Sequence, residues 1–189
     1  MKRVALSLAL LIITSVGFCA QSKAQPKPPP LEFRHLVGVH YKNAKHKRPP
    51  DLYALDVDIG KDGKAVYTFR DRKGKTVKQE QVLKQSKVIL TVADVKPIAR
   101  VEKDPQVHTA VIMLQFTELG KKKFTDFTRK QIGEILAIMI DGRILSAPTI
   151  NEPILAGRAV IRDKFTVAEA QAVVDKINAA ATAAATGKH

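Results

Sequence analysis

Cysteine occurs once in this 189-residue chain, at Cys19, and tryptophan does not occur at all. A lone cysteine excludes an internal disulfide framework and any cysteine-rich zinc site. Aromatic residues make up only 5% of the chain, against 45% apolar residues overall, so aliphatic side chains must fill the core. Acidic residues are scarce: 18 against 32 basic ones, for a net charge of +14. That imbalance favours anionic partners through sequence-independent attraction, without establishing that any is bound. The apolar run from Val4 to Phe18 covers 15 residues, short of the ~20 needed to span a bilayer.

What is present at the N-terminus reads as an export signal. Lys2-Arg3 precede the apolar run, and Ser22 and Ala24 place small residues at −3 and −1 for cleavage after Ala24. Cys19 raises the question of lipidation, but Phe18 stands where a small residue is required. The expected mature chain is exported, periplasmic or envelope-associated, and unlipidated. A lipidated form and an uncleaved anchor remain the alternatives.

Residues 25–50 are proline-rich and basic, opening on Pro28-Pro29-Pro30 and closing on Pro49-Pro50. They read as a tether, interrupted by Leu31 to Tyr41, which suits one short strand. Residues 51–93 form an N-terminal part containing a hairpin, since Leu52 to Ile59 alternates with the period of a strand and returns through Ala65 to Arg70. Residues 94–180 hold a strand from Ala110 to Phe116, then a helix capped by Thr117 with Leu119, Phe124 and Phe127 at helical spacing. A hairpin follows about Asp141-Gly142, a pair suited to a type I′ turn. A strand in "AGRAVI" then leads to a helix opened by the capping box Thr166–Glu169, burying Val167, Ala170, Val174 and Ile177. Residues 181–189 read as a fraying alanine-rich tail. The order predicts an α+β fold: a mostly antiparallel sheet with two helices packed on one face.

Chemistry is hard to find. His35, His40 and His46 have no common zinc spacing, and Lys42, Lys45, Lys47 and Arg48 would repel a cation, so a solvated basic loop is expected. His108 stands alone. Asp56 and Asp58 share a strand face, where a polar outer surface explains them better than acid–base work. No nucleophile elbow, Walker loop or dinucleotide fingerprint occurs, and Lys121 to Lys123 read as the wet face of a helix. No catalytic, cofactor-binding or metal-binding residue is assigned, and no cofactor is expected. Aromatics are too sparse among the basic residues to favour nucleic acid.

From about Val82 to Ala179 the motifs line up in a recognisable order: Leu90-Thr91 with Asp94-Val95, "VIMLQFTELGKKKFTDFT", "ILAIMIDGRILSAPTI" and "FTVAEA". In this order and spacing the chain resembles the head subdomain of the first periplasmic domain of SecD, the Sec translocon accessory subunit of the SecDF family. The resemblance implies framework or partner-surface roles for Gly120, Phe124, Thr128, Gly133, Asp141, Gly142, Pro148, Ile154, Gly157 and Phe165. It departs from the pattern at Ala156 and Asp163, where the family favours glycine. The family's membrane helices are not found after the last helix, so the expectation is a stand-alone SecD-head-like module with no translocation engine. It would bind polypeptide or an envelope protein, with the Sec machinery as a candidate partner. The alternative is a basic envelope domain that binds an anionic polymer or a membrane surface, peripherally at most. The oligomeric state is left open.

Overall fold

The computed structural model describes residues 28–43, 52–104 and 109–187. The export signal, Cys19, His46, His108 and the basic stretch around Lys45 lie outside the described residues. Eleven strands and three helices make up the described fold, arranged as three sheets.

The central sheet is built around β9 (Leu136–Ile140), every residue of which is buried. On one side β9 pairs antiparallel with β10 (Arg143–Ser146). On the other it pairs antiparallel with β1 (Glu32–His35), which in turn pairs with β6 (Lys87–Thr91). Leu136, Ile138 and Ile140 point into one core, while Ala137 and Met139 point into a second core on the opposite face. This explains why "LAIMI" is apolar throughout instead of alternating: both faces of the strand are covered.

The first core is closed by a three-stranded antiparallel sheet of β7 (Arg100–Lys103), β8 (Ala110–Gln115) and β11 (Arg158–Phe165), together with α2 (Glu118–Lys130) and α3 (Val167–Ala185). Phe124 of α2 and Ala170, Val174 and Ile177 of α3 belong to this core. The second core lies under a sheet of β2 (Val39–Tyr41), β3 (Tyr53–Ile59), β4 (Ala65–Asp71) and β5 (Thr76–Val77), with Val82 of the single-turn α1 (Gln79–Leu83). The fold is therefore α+β with both long helices in one core, and the second sheet covers the other face of the central layer.

Several local expectations change. Leu31 to Tyr41 forms two strands in two sheets, because the chain turns at Leu36 to Gly38, where Gly38 has φ of 70°. This stretch of the expected tether is therefore interior: Leu31 and Phe33 are fully buried. Leu119 is exposed, and α2 instead buries Gly120, Phe124 and Thr128, a row at spacing four along one helix face. Val167 is exposed in the first turn of α3. The alanine-rich end continues as helix through Ala185, with Ala181 buried, so the helix does not fray at 181.

The Asp141–Gly142 turn has φ of 49° and 78°, both positive as a type I′ turn requires. Side chains reach it from two directions: Gln79 Nε2 donates to Gly142 O at 2.9 Å, and Lys176 of α3 pairs with Asp141. A Cβ added at Gly142 would sit 3.1 Å from Pro28 Cβ. We expect Gly142→Val to lower stability by about 1–2 kcal/mol, because a β-branched residue resists left-handed φ. Lys122→Ala, on the exposed side of α2, should stay within about 0.5 kcal/mol. Urea midpoints of the two variants check this, and equal shifts would contradict it.

Candidate functional site

Most of the residues singled out by sequence lie on α2 or on the segments beside it, whereas Asp141 and Gly142 turn against α3 and Phe165 leads into it. Thr117 Oγ1 accepts from Gly120 N at 3.0 Å and caps the helix. Phe124 meets Phe116 and Phe33 edge-to-face, at centroid distances of 5.0 and 5.7 Å. The fully buried Thr128 donates to Phe124 O at 2.9 Å and accepts from Ile154 N at 2.9 Å. Thr125 Oγ1 donates to Ile154 O at 2.9 Å, so two threonines hold both backbone groups of Ile154 against the helix. Gly133, with φ of 85°, ends the turn after α2 and donates to Ile150 O at 2.7 Å. Exposed Pro148 offers its carbonyl to Leu136 N at 3.0 Å, so "SAPTI" prolongs the pairing with β9 beyond the irregularity near Ser146. Gly157, with φ of 65°, accepts from Phe116 N at 2.9 Å, and Phe165 closes the first core just before the Thr166–Glu169 box. All ten residues serve packing, turn or backbone-bonding roles in the fold.

The hub of this region is Asp94, which stands among the aligned motifs but is given no role by sequence. Its carboxylate accepts from Thr91 N at 3.0 Å and from Lys123 Nζ at 2.7 Å, and its carbonyl accepts from Thr117 N at 2.9 Å. The spacing Thr91-x-x-Asp94 was the available signal, since it forms a capping box on the 3-10 turn Val92–Asp94. Lys123 is thus a partner of a buried carboxylate, not merely part of a wet face.

The residues weighed for chemistry are dispersed. His35 is buried on β1, with Nε2 3.1 Å from Glu134 Oε2 and its ring edge-to-face with Phe127, so it does not lie in a solvated loop. Asp56 pairs with Lys42 at 2.9 Å, and that hydrogen bond holds its carboxyl below the usual range. Asp58 is exposed. Among the described residues no group of three His, Cys, Asp or Glu side chains is placed to hold a metal ion.

A groove opens where the β3–β4 hairpin approaches β11. The hairpin's inner face carries the cross-strand pairs Leu55–Phe69, Val57–Tyr67 and Ile59–Ala65. Leu55 and Phe69 belong to the second core, but the apolar face runs on past it, leaving Ile59 68% exposed. The resulting cavity, about 310 Å³, is lined by Ile59, Gly63 and Ala65 on one side and by Arg162, Asp163 and Lys164 on the other. β11 pairs with β8 on one side only, and that ladder skips Asp163 and Lys164. The departure at Asp163 is therefore a bulge at the rim of the groove. Lys64 Nζ bonds Glu169 Oε1 at 2.7 Å and ties the hairpin to the start of α3. That bond, aided by the Thr166 amide, holds the Glu169 carboxyl down at about 2, so the tie stays charged at neutral pH.

Three sheets with two threonine-capped helices in one core, the second helix tied to an Asp-Gly hairpin through Lys176, define an α+β head-type domain. Residues 64–184 match the family model described as the SecDF P1 head subdomain, and the chain belongs to that family. It is 36% identical to the protein translocase subunit SecD of Dictyoglomus turgidum over 117 residues, which are 62% of this chain and 26% of that protein. It is 37% identical over 107 residues to the SecD subunit of Acidaminococcus fermentans, 57% of this chain and 22% of that one. The chain thus spans about a quarter of the length of these relatives. A solved structure of SecDF, described as a membrane component that enhances protein export, matches 80% of this chain and 63% of its own, with 26% identity and a TM-score of 0.53. Among the described residues no helix is long and apolar enough to cross a membrane.

Proposed function

We propose that this chain is an exported, non-catalytic head module that holds extended polypeptide, or an extended segment of an envelope protein, in support of Sec-dependent translocation. Its site is the groove between Ile59, Ala65 and the bulged end of β11. The observation that carries this reading is the exposed apolar continuation of the hairpin face beside a strand paired on one side only. Such an arrangement offers a side-chain pocket and an adjacent backbone edge, the two elements of recognition by strand addition. Neither requires an energy source. In this reading residues 1–24 direct export to the periplasm or envelope, with cleavage after Ala24.

Ordering a flexible chain on binding costs entropy, so the affinity should fall in the ~1–100 μM range. Titration with an unfolded, apolar, uncharged peptide should saturate, with little change between low and high salt. Ile59→Asp should weaken the binding about tenfold or more while leaving the melting temperature nearly unchanged, since this side chain is exposed. Equal affinity of the variant would remove the groove from the site. Absence of peptide binding altogether would end the polypeptide reading.

A further inference from the structure

Three segments meet at one end of the β7–β8–β11 sheet, tied by backbone bonds. Lys96 N donates to Gln115 O at 2.8 Å, Phe116 N to Gly157 O at 2.9 Å, and Thr117 N to Asp94 O at 2.9 Å. Each segment presents one large aliphatic side chain to solvent: Ile98 is 50% exposed, Leu119 62% and Leu155 56%. Isolated exposed aliphatics are ordinary, but here each has a lysine two residues away in the chain or packed on its segment. Lys96 is two residues from Ile98, Lys121 two from Leu119, and the Lys121 side chain lies against Gly157, two residues from Leu155.

The sheet's outer face adds two arginines. Arg100 and Arg158 flank a cavity of about 170 Å³ whose walls include Met113, Gln115 and Ala156. Arg100 is 2.7 Å from Glu102, and Lys96 is 4.0 Å from Glu118, which is largely exposed. Arg158 has no ion-pair partner among the described residues. Positive charge therefore exceeds negative charge on this end, around a hollow sized for one small anionic group. Guanidinium pairs are suited to phosphate oxygens because their donors form a planar fork.

We infer that this end of the domain docks on an anionic phospholipid surface. A lipid phosphate enters between Arg100 and Arg158, and Ile98, Leu119 and Leu155 enter the boundary between head groups and acyl chains. Protruding aliphatics on two irregular segments and on α2, with cations close by in each segment, fit a broad interfacial partner. An acidic polypeptide would call for a continuous trough, and these side chains project from three separate segments instead of lining one cavity. The inference is independent of the hairpin groove, so Ile59→Asp should leave lipid binding unchanged.

The chain contains no tryptophan, so Leu155→Trp introduces a single fluorescent reporter at this end. Its emission should shift to the blue when vesicles of phosphatidylglycerol and phosphatidylethanolamine are added, and should not shift with phosphatidylcholine alone. In co-sedimentation the double variant Arg100→Gln/Arg158→Gln should lose about tenfold in affinity for the anionic vesicles. Lys73→Gln/Lys75→Gln, on the exposed β4–β5 turn, should lose little. Melting curves report whether each variant is folded; Leu119→Ser, on a separate segment, gives a second test should the arginine variant fail to fold. The inference is overturned if the reporter does not shift, or if the two double variants lose affinity equally, which would indicate charge attraction alone. It is also overturned if the arginine variant loses binding to poly-glutamate but not to vesicles, which would assign the surface to acidic polypeptide.

Discussion

Replacing Phe124 by alanine should cost the protein about 3–5 kcal/mol, enough to lower its melting temperature by roughly 8–16 °C. Three fully buried rings, Phe33 on β1, Phe116 after β8 and Phe124 on α2, pack edge-to-face around one point. Phe33 is distant in sequence from Phe116 and Phe124, which flank the Thr117 cap. The cluster therefore pins the start of α2 to β1, and removing the helical member opens a void that neither side can close alone. Aromatic pairs contribute beyond their buried area, and Phe124 takes part in two of them. Phe124→Leu should recover about half of the loss, because it refills volume without restoring the edge-to-face geometry. Thermal unfolding of the two variants provides the measurement. A loss below about 1.5 kcal/mol for the alanine variant would mean that α2 can slide to refill the space, which the fixed contacts of Thr125 and Thr128 argue against.

Local chemistry made much of this fold readable before the structure. Asp141-Gly142 specified its own turn, and the caps at Thr117 and Thr166 announced the two long helices, because each signal acts over four residues or fewer. What escaped depends on contacts distant in sequence. Periodicity suggested that Leu119 faces the core, but the Asp94 segment crosses α2 at Gly120, and this rotates the helix so that Leu119 faces solvent. The placement of β1 between β9 and β6 could not be read from a stretch flanked by prolines, since burial of Phe33 is decided by partners on strands some 60 and 100 residues away. His35 illustrates the same point: its neighbours in sequence are basic, while its neighbours in space are Glu134 and Phe127.

The groove was least legible. Val57 and Ile59 continue the alternation of β3, and an alternating apolar residue is ordinarily read as core. Only the length of the hairpin relative to the sheet beneath it shows that the apolar face outruns its cover. Exposure of that face, not any motif, marks the candidate site. The shared motifs build the scaffold around α2, whereas the candidate groove joins Ile59 and Gly63, outside the family match, to Ala65 and Arg162 to Lys164 within it.

The second large effect is expected at Gly120, and its sign distinguishes two kinds of cause. By helix propensity alone Gly120→Ala should stabilise α2 by about 1 kcal/mol. By packing it should do the reverse, because an added Cβ would lie 2.3 Å from the Asp94 carbonyl oxygen and 2.9 Å from Asp94 Cβ. The oxygen is backbone and already accepts from Thr117 N, so it cannot move aside as a flexible side chain would. Relief requires α2 to lift from the 3-10 turn, which would strain the Thr117 cap and the bond from Lys123 to the buried Asp94 carboxylate. Overpacking of this kind costs up to about 3 kcal/mol, which outweighs the propensity gain. Gly120→Ala should therefore destabilise by about 2 kcal/mol net, and Gly120→Val by more, since its branched side chain adds bulk and lowers helix propensity. Urea denaturation of both, beside Lys122→Ala as a surface control, measures the difference. Stabilisation by alanine would show that α2 and the Asp94 turn do not make this close approach in solution.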